Sequence, residues 1–453
     1  MFKTGGCHKP PVFLYSCFMK TQLIQDAIAV LEGNVQEGGF TIPSKGLYPF
    51  QWKWDSGFIA LGFGHYDMDK ALREMSTLLD SQWGNGFIPH IVFHTKTDTY
   101  FPGEDFHQSE LHPQSSKKYR STGMTQPPVL GFVLERLYQM SKDKGQVLEF
   151  IDAHIDRIYD NHAYFYNNRD RDGDGLIYIY HNWESGTDNS PIWDAVWETM
   201  DPPHYEFERK DTTHVDASQR PTKREYDHYL YIIEMAKAVN YNDQAIAEQS
   251  PFLVQDPLFN AMLVRSNEAL ISLYELIGRS LEKRQQLEQW SQKTTKAMNE
   301  KLFDVVLGAY VHYDLRNDKP IAALTSSSFT PLFAGVPSAE RAEKMAKVLT
   351  ERFGGKDRYL CASFDPGDER FNPKKYWRGP VWINVNWLLY HGLKRYGMET
   401  LSAQVKSDSL HLIEQFGFYE YFDPRKINGE KTNAYGGGNF SWSAALIIDL
   451  LSE

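Results

Sequence analysis

Cysteine is nearly absent: Cys7, Cys17 and Cys361 are the only three in 453 residues, and none forms a CxxC pair or a Cys/His ligand spacing. That argues against a disulfide framework and a zinc site, and fits a reducing cytoplasm. Long apolar runs are missing as well. Lys9, Pro10, Pro11 and Lys20 interrupt the one apolar stretch near the N-terminus, and nowhere do about 18 consecutive apolar residues occur. Neither a membrane span nor an export signal is expected. Positive charge is in deficit, 48 Lys+Arg against 59 Asp+Glu for a net charge of −11, which leaves no electrostatic footing for nucleic acid or an anionic membrane. Strand signals are few, chiefly 176–180 and 309–313. What the chain has in quantity is aromatic residues, 14% of the total, and many of its 11 Trp stand beside Asp, Asn, Gln or Arg. That mixture suits a small polar ligand.

Helical periodicity recurs at 21–34, from 53 through His65, and at 67–82, 129–142, 145–162, 225–239, 257–278, 282–302, 338–353, 380–396, 399–416 and 441–452. These twelve stretches alternate between apolar ones, such as 444–451, and charged amphipathic ones, such as 281–290, as an inner and an outer layer would. The expected fold is all-α, an (α/α)6 toroid of six helical hairpins with minor β elements. Residues 1–20 read as a lead-in, and 21–453 as one catalytic domain. The long connections, 33–54, 83–126, 163–224, 354–379 and 417–440, hold nearly all the polar-aromatic motifs, so the ligand is expected where they gather at one end.

Two of those connections carry carboxylates in unusual company. Asn182 to Asp194 holds Glu184, Asp188 and Asp194 with two tryptophans, Gly186 and Pro191, and has neither helical nor strand period. The same residues could instead cap a helix starting near Ser190. Glu420 lies among aromatics just past a helix end, in Tyr419-Glu420-Tyr-Phe-Asp423. A toroid would bring Asp188 and Glu420 face to face. Glycosidic hydrolysis uses such a pair: one carboxyl, protonated through burial, gives its proton to the leaving oxygen while the other activates water or attacks carbon.

Glu184-Ser-Gly-Thr-Asp188, Tyr376-Trp-Arg-Gly-Pro-Val-Trp-Ile-Asn384, Tyr419-Glu420-Tyr and Phe440-Ser-Trp-Ser-Ala444 together resemble glycoside hydrolase family 63, among the trehalase-like and glucoamylase-like α/α toroids. The likeness runs from about Tyr48 to the C-terminus and is nearest to compact bacterial members that hydrolyse glucosylglycerate and mannosylglycerate. The resemblance implies an inverting α-glycosidase, with Asp188 as general acid and Glu420 as general base. It also implies a sugar pocket built from Tyr48, Trp52, Asp55, Gln126, Tyr376, Trp377 and Trp382, although Trp382 begins an apolar helix and suits the core equally well. Arg220 and Tyr226 match positions that bind the glycerate carboxylate, to which an arginine fork is suited.

Asp170, Asp172 and Asp174 have calcium-loop spacing, but the twelfth position is His181 where a Glu is needed, so a structural turn is expected. No histidine pair has ligand spacing. Neither a metal nor a cofactor is expected, and the only partner implied is a small glycoside. The sequence leaves open glucose against mannose, the linkage and whether the chain forms a homo-oligomer. The alternatives are an inverting α-glucosidase on neutral α-linked disaccharides and a non-catalytic sugar-binding protein.

Overall fold

The helices differ in how much of their circumference is apolar, and the fold sorts them accordingly. The computed structural model describes residues 12–426 and 433–453; residues 1–11 of the expected lead-in lie outside the described residues. Six inner elements pack in a closed order. They are α2 (Lys53–Gly64), α5 (Leu130–Met140), α10 (Pro257–Leu276), the 3-10 helix Ser326–Leu332, α13 (Ile383–Arg395) and α15 (Ser441–Ser452), which returns to α2. Around them lie α1 (Val12–Asn34) against α15, α3 (Met68–Leu79) against α2, α6 (Lys144–Asn168) against α5 and α10, α11 (Leu281–Ala297) against α10, and α14 (Glu399–Phe416) against α13. The sixth outer helix, α12 (Ala339–Val348), packs on the strand Ala309–Tyr310, which in turn backs the 3-10 helix. Four more helices, α4 (Glu104–His107), α7 (Asp194–Trp197), α8 (Lys223–Ala238) and α9 (Asp243–Gln249), belong to the connections.

Burial follows the layers. Every residue of α15 from Ser441 to Leu451 is buried, whereas α11 buries only Leu287, Thr294 and Ala297. Each large apolar side chain removed from water in the inner layer contributes roughly 1.5–3 kcal/mol. Two neighbouring inner pairs meet at glycine. A Cβ on Gly62 of α2 would lie 2.6 Å from the Ala445 Cα of α15, and one on Gly131 of α5 would lie 2.6 Å from the Ser266 carbonyl oxygen of α10.

Three expectations need correcting. Helix α1 starts at Val12, so part of the lead-in is helical, and the helix that periodicity begins at Thr21 starts nine residues earlier; nothing between Val12 and Glu32 is Pro or Gly. Helix α8, counted above among the twelve, lies in the connection between α6 and α10. Its place in the ring belongs to Ser326–Leu332, which the periodicity did not show because Pro331 and four hydroxyl residues interrupt any apolar stripe. Those hydroxyls suit a tight 3-10 turn: the Ser327 amide donates to Thr325 Oγ1 and the Thr325 amide to Ser328 Oγ.

Short antiparallel sheets dress the connections. One pairs Gln51–Trp52 with Ile91–Phe93 and then Arg120–Ser121. Another is the hairpin of Tyr419–Phe422 and Ala434–Gly438, whose register slips between Tyr419 and Tyr421. No helix among the described residues is long and apolar enough to cross a membrane.

Candidate active site

All five long connections contribute side chains to one cavity. The N-terminal ends of α2 and α15 point at it, through Trp54 and Asp55 and through Trp442, and the 3-10 turn Tyr376–Arg378 adds Trp377. Of the residues expected from sequence, Tyr48, Trp52, Asp55, Gln126, Asp188, Arg220, Tyr226, Tyr376, Trp377 and Glu420 line it.

Asp188 reaches the cavity by way of two tight turns. The 3-10 turn Asn182–Ser185 ends at Gly186, whose φ of +73° and approach to the Trp54 indole leave no room for a side chain. The next turn, Pro191–Trp193, has Ser190 at its N-cap with no side-chain cap bond, so capping does not explain this segment. Asn182 Nδ2 donates to the Asp188 carbonyl at 2.6 Å, and Tyr376 OH donates to Asp188 Oδ2 at 3.4 Å. Burial, together with the nearby Glu420 charge and against the pull of Arg220, pushes the Asp188 carboxyl up to about 7.

Glu420 is held in the bulged hairpin. Its Oε1 accepts from Tyr48 OH at 2.7 Å and its Oε2 from the Gly437 amide at 3.0 Å. Gly436, at φ +74°, makes room: a Cβ there would lie 2.2 Å from Glu420 Oε2. Burial raises the Glu420 carboxyl above its ordinary value, while Arg220, Tyr48 and Gly437 favour the ionised form. Tyr48 OH and Tyr376 OH are 3.2 Å apart, so Glu420 and Asp188 are joined through two hydroxyls by contacts of 2.7, 3.2 and 3.4 Å. The separation of Glu420 Oε1 from Asp188 Oδ2 cannot exceed the sum of those contacts.

Arg220 closes the other side. Its Nε donates to Asp211 Oδ2 at 3.2 Å, its guanidinium carbon lies 4.1 Å from the Tyr376 ring centre, and Nη1 stands 3.7 Å from Glu420 Oε2. Arg220 is 5% exposed, yet this Nη1 has no hydrogen-bond partner. Asp211 also accepts two bonds from Arg209, whose guanidinium covers the Tyr226 ring at 4.1 Å. Against the effect of burial, the two arginines hold the Asp211 carboxyl below its ordinary range.

Trp382 is the one expected pocket residue that does not line the cavity. Its indole lies parallel to that of Trp377 at 3.8 Å and also stacks on Tyr421, so it backs the pocket wall from the core. The structure adds lining residues not singled out above, among them His90, Tyr100, Trp183, Asp211 and Tyr229. His90 and Tyr100 sit within a long connection rich in aromatics and histidines. Asp211 gave no signal, because charged residues surround it in sequence.

Glu184 and Asp194, left without roles by the sequence, are braces. The two Glu184 oxygens accept from the Thr125 and Tyr180 amides at 3.1 and 2.8 Å, and the buried Arg169 reaches both at 3.3 Å. Asp194 takes a two-pronged bond from Arg378 at 3.0 and 2.7 Å, while Asn189 Oδ1 accepts from the Trp377 amide at 2.9 Å. The segment carrying Asp188 therefore clasps the one carrying Tyr376. The Asp170 turn is braced likewise: Lys293 pairs with Asp170, and Lys301 with Asp172 and Asp174.

The description of the family whose model matches residues 48–443 is the mannosylglycerate hydrolase MGH1-like glycoside hydrolase domain. A mannosylglycerate hydrolase of Thermus thermophilus is 41% identical over 93% of this chain and 99% of its own length. A glucosylglycerate hydrolase of Mycolicibacterium hassiacum is 33% identical over 96% and 98%. The crystal structure of a family 63 mannosylglycerate hydrolase from Thermus thermophilus in complex with Tris and D-glycerate superposes with a TM-score of 0.87 at 40% identity, covering 95% of this chain and all of that one. The chain belongs to the MGH1-like glycoside hydrolases of family 63 and is a glycoside hydrolase.

Proposed function

We propose that the protein hydrolyses an α-linked glycosylglycerate with inversion, mannosylglycerate ahead of glucosylglycerate. The higher identity to the mannosylglycerate enzyme favours that order. Asp188, pushed up to about 7, carries the proton that the leaving glycerate oxygen takes. Glu420, with donors on both oxygens, acts as the carboxylate that removes a proton from the attacking water. The water attacks from the face opposite the leaving group, so the sugar is released as the β anomer. Asp55 and Gln126 face the sugar hydroxyls, and Trp377 offers an indole face to the ring.

The observation that carries the aglycone assignment is the unpartnered Nη1 of Arg220. A buried guanidinium N–H without an acceptor costs free energy, and a substrate carboxylate supplies the missing one. An overall charge of −11 does not attract an anion, so recognition is local to Arg220 and Tyr226. The test is a sugar-release assay over mannosylglycerate, glucosylglycerate and neutral α-linked disaccharides, with the first-formed anomer followed by NMR. Release of β sugar from a glycosylglycerate, weakened by about 1.5–3 kcal/mol in kcat/KM for Arg220→Ala, is expected. Preference for neutral disaccharides would remove Arg220 from this role, and first-formed α sugar would remove the inverting mechanism.

A further inference from the structure

Two tyrosine hydroxyls bridge the acid and the base, and counting protons along the bridge constrains the site. The three contacts are Glu420 Oε1 to Tyr48 OH at 2.7 Å, Tyr48 OH to Tyr376 OH at 3.2 Å, and Tyr376 OH to Asp188 Oδ2 at 3.4 Å. Each hydrogen bond needs one proton between its oxygens, and each tyrosine supplies one. With both carboxylates ionised, Tyr48 donates to Glu420 and Tyr376 to Asp188. The contact between the hydroxyls is then left with lone pairs facing each other. One carboxyl proton completes the chain, which then runs in a single direction: from Asp188 through Tyr376 and Tyr48 to Glu420, or the reverse.

We propose that Asp188 and Glu420 share one proton through a Tyr48–Tyr376 relay, which keeps it on Asp188 before reaction and returns it there from Glu420 afterwards. This rests on the acid and base roles given above. The surroundings set the resting direction: Arg220 pulls on both carboxyls, and the Gly437 amide with the close Tyr48 contact favours the ionised form of Glu420, so the proton resides on Asp188. Of the other ionisable neighbours, Asp55 on α2 bears on both carboxyls, Asp211 bears on Glu420, and the Tyr100, Tyr226 and Tyr229 hydroxyls face Asp188. The bond to Tyr376 is the longest of the three, so a glycosidic oxygen can replace Tyr376 as acceptor. In turnover Asp188 loses its proton to the leaving oxygen and Glu420 gains one from water, which leaves the reversed chain. Glu420 then gives its proton to the Tyr48 oxygen, Tyr48 passes its own to Tyr376, and Tyr376 passes its own to Asp188 Oδ2. Three O–H bonds break, three form, and the proton count is unchanged.

The test is the pH profile of kcat/KM for Tyr48→Phe and Tyr376→Phe, both of which keep the ring. Tyr48→Phe removes a donor from ionised Glu420, so the acidic limb moves up. It also removes the oxygen that accepts from Tyr376 only while Asp188 is protonated, so the basic limb moves down. Each limb should shift by about one pH unit, the size of one hydrogen bond to a charged group. Tyr376→Phe leaves Tyr48 donating to Glu420, so its basic limb alone should move. If Tyr48→Phe fails to fold, the Tyr376→Phe profile decides. Lower kcat/KM with both limbs unmoved would mean that the hydroxyls only hold the sugar, and the relay falls. Asp188→Asn and Glu420→Gln test the roles beneath it: turnover surviving in either removes the acid and base assignment, whereas its loss in both alongside unmoved limbs sinks the relay alone.

Discussion

Asp188 and Glu420 are two carboxyls in one cavity, and the difference between them lies in their donors. Arg220 pulls on both, but Glu420 accepts a neighbouring amide and a close phenol, where Asp188 has its own amide and one long phenol contact. The proton therefore settles on Asp188. A stability cost follows, and its sign can be worked out. The folded-state value of about 7 lies above the unfolded value of about 3.9, so the stability this carboxyl contributes is full below about pH 4 and lost as pH rises through 7. Asp188→Asn removes that titration. Its stability relative to the parent should rise by about 2 kcal/mol between about pH 5 and pH 8, measured by urea unfolding. A constant difference across that range would show that Asp188 is not protonated in the folded enzyme. For activity, the same carboxyl predicts a basic limb near pH 7, as the acid loses its proton.

Among the elements, the bulged hairpin 419–422 and 434–438 does the most for the chemistry in the fewest residues. Its slip in register presents the Gly437 amide to Glu420 and puts Gly436 where no side chain fits. Gly436→Ala should therefore lower kcat by about 100-fold, through displacement of Glu420. Its KM should change far less, because Arg220, Asp55 and Trp377 stay in place; near-parental kcat would mean that the hairpin tolerates the clash without moving Glu420. This element also shows what a sequence conceals. The Tyr-Glu-Tyr motif was legible, but the bulge depends on which residues pair between the two strands. Trp382 makes the same point from the core: its indole is chemically fit for a sugar, and only the parallel indole of Trp377 in front of it makes it a backing residue.

At the scale of the whole molecule, a buried carboxylate ties the inner elements together away from the site. Asp449 of α15, fully buried, accepts from Arg136 of α5 at 3.0 and 2.7 Å and from Trp387 Nε1 of α13 at 2.8 Å. It also lies 2.8 Å from Nε2 of His65, just past α2. One carboxylate thus ties four of the six inner elements where their C-terminal ends meet. Despite burial, the His391 and His65 imidazoles and Arg136 hold its pKa well below the ordinary range, so its contribution is full above the unfolded value of about 3.9 and lost as pH falls further. Asp449→Asn should cost about 1–3 kcal/mol at neutral pH, because Arg136 loses one of its two carboxylates and keeps Glu453. Below its unfolding transition the variant should keep parental kcat, and equal stability would show that ring closure does not depend on this group.

The sequence by itself determined the two-layer helical character, the connections that carry the chemistry, and the identity of ten of the residues that line the pocket. Apolar periodicity and clustered polar aromatics are local properties, readable from neighbours in the chain. Only the tertiary structure decided that a serine-rich 3-10 turn completes the ring, that Glu184 and Asp194 are braces, and that Asp211 aligns Arg220. It also decided that two phenols join carboxyls 232 residues apart, Asp188 and Glu420. A carboxylate's role depends on which donors and charges the fold brings to within a few ångströms. Those partners come from distant connections, so no stretch of sequence records them.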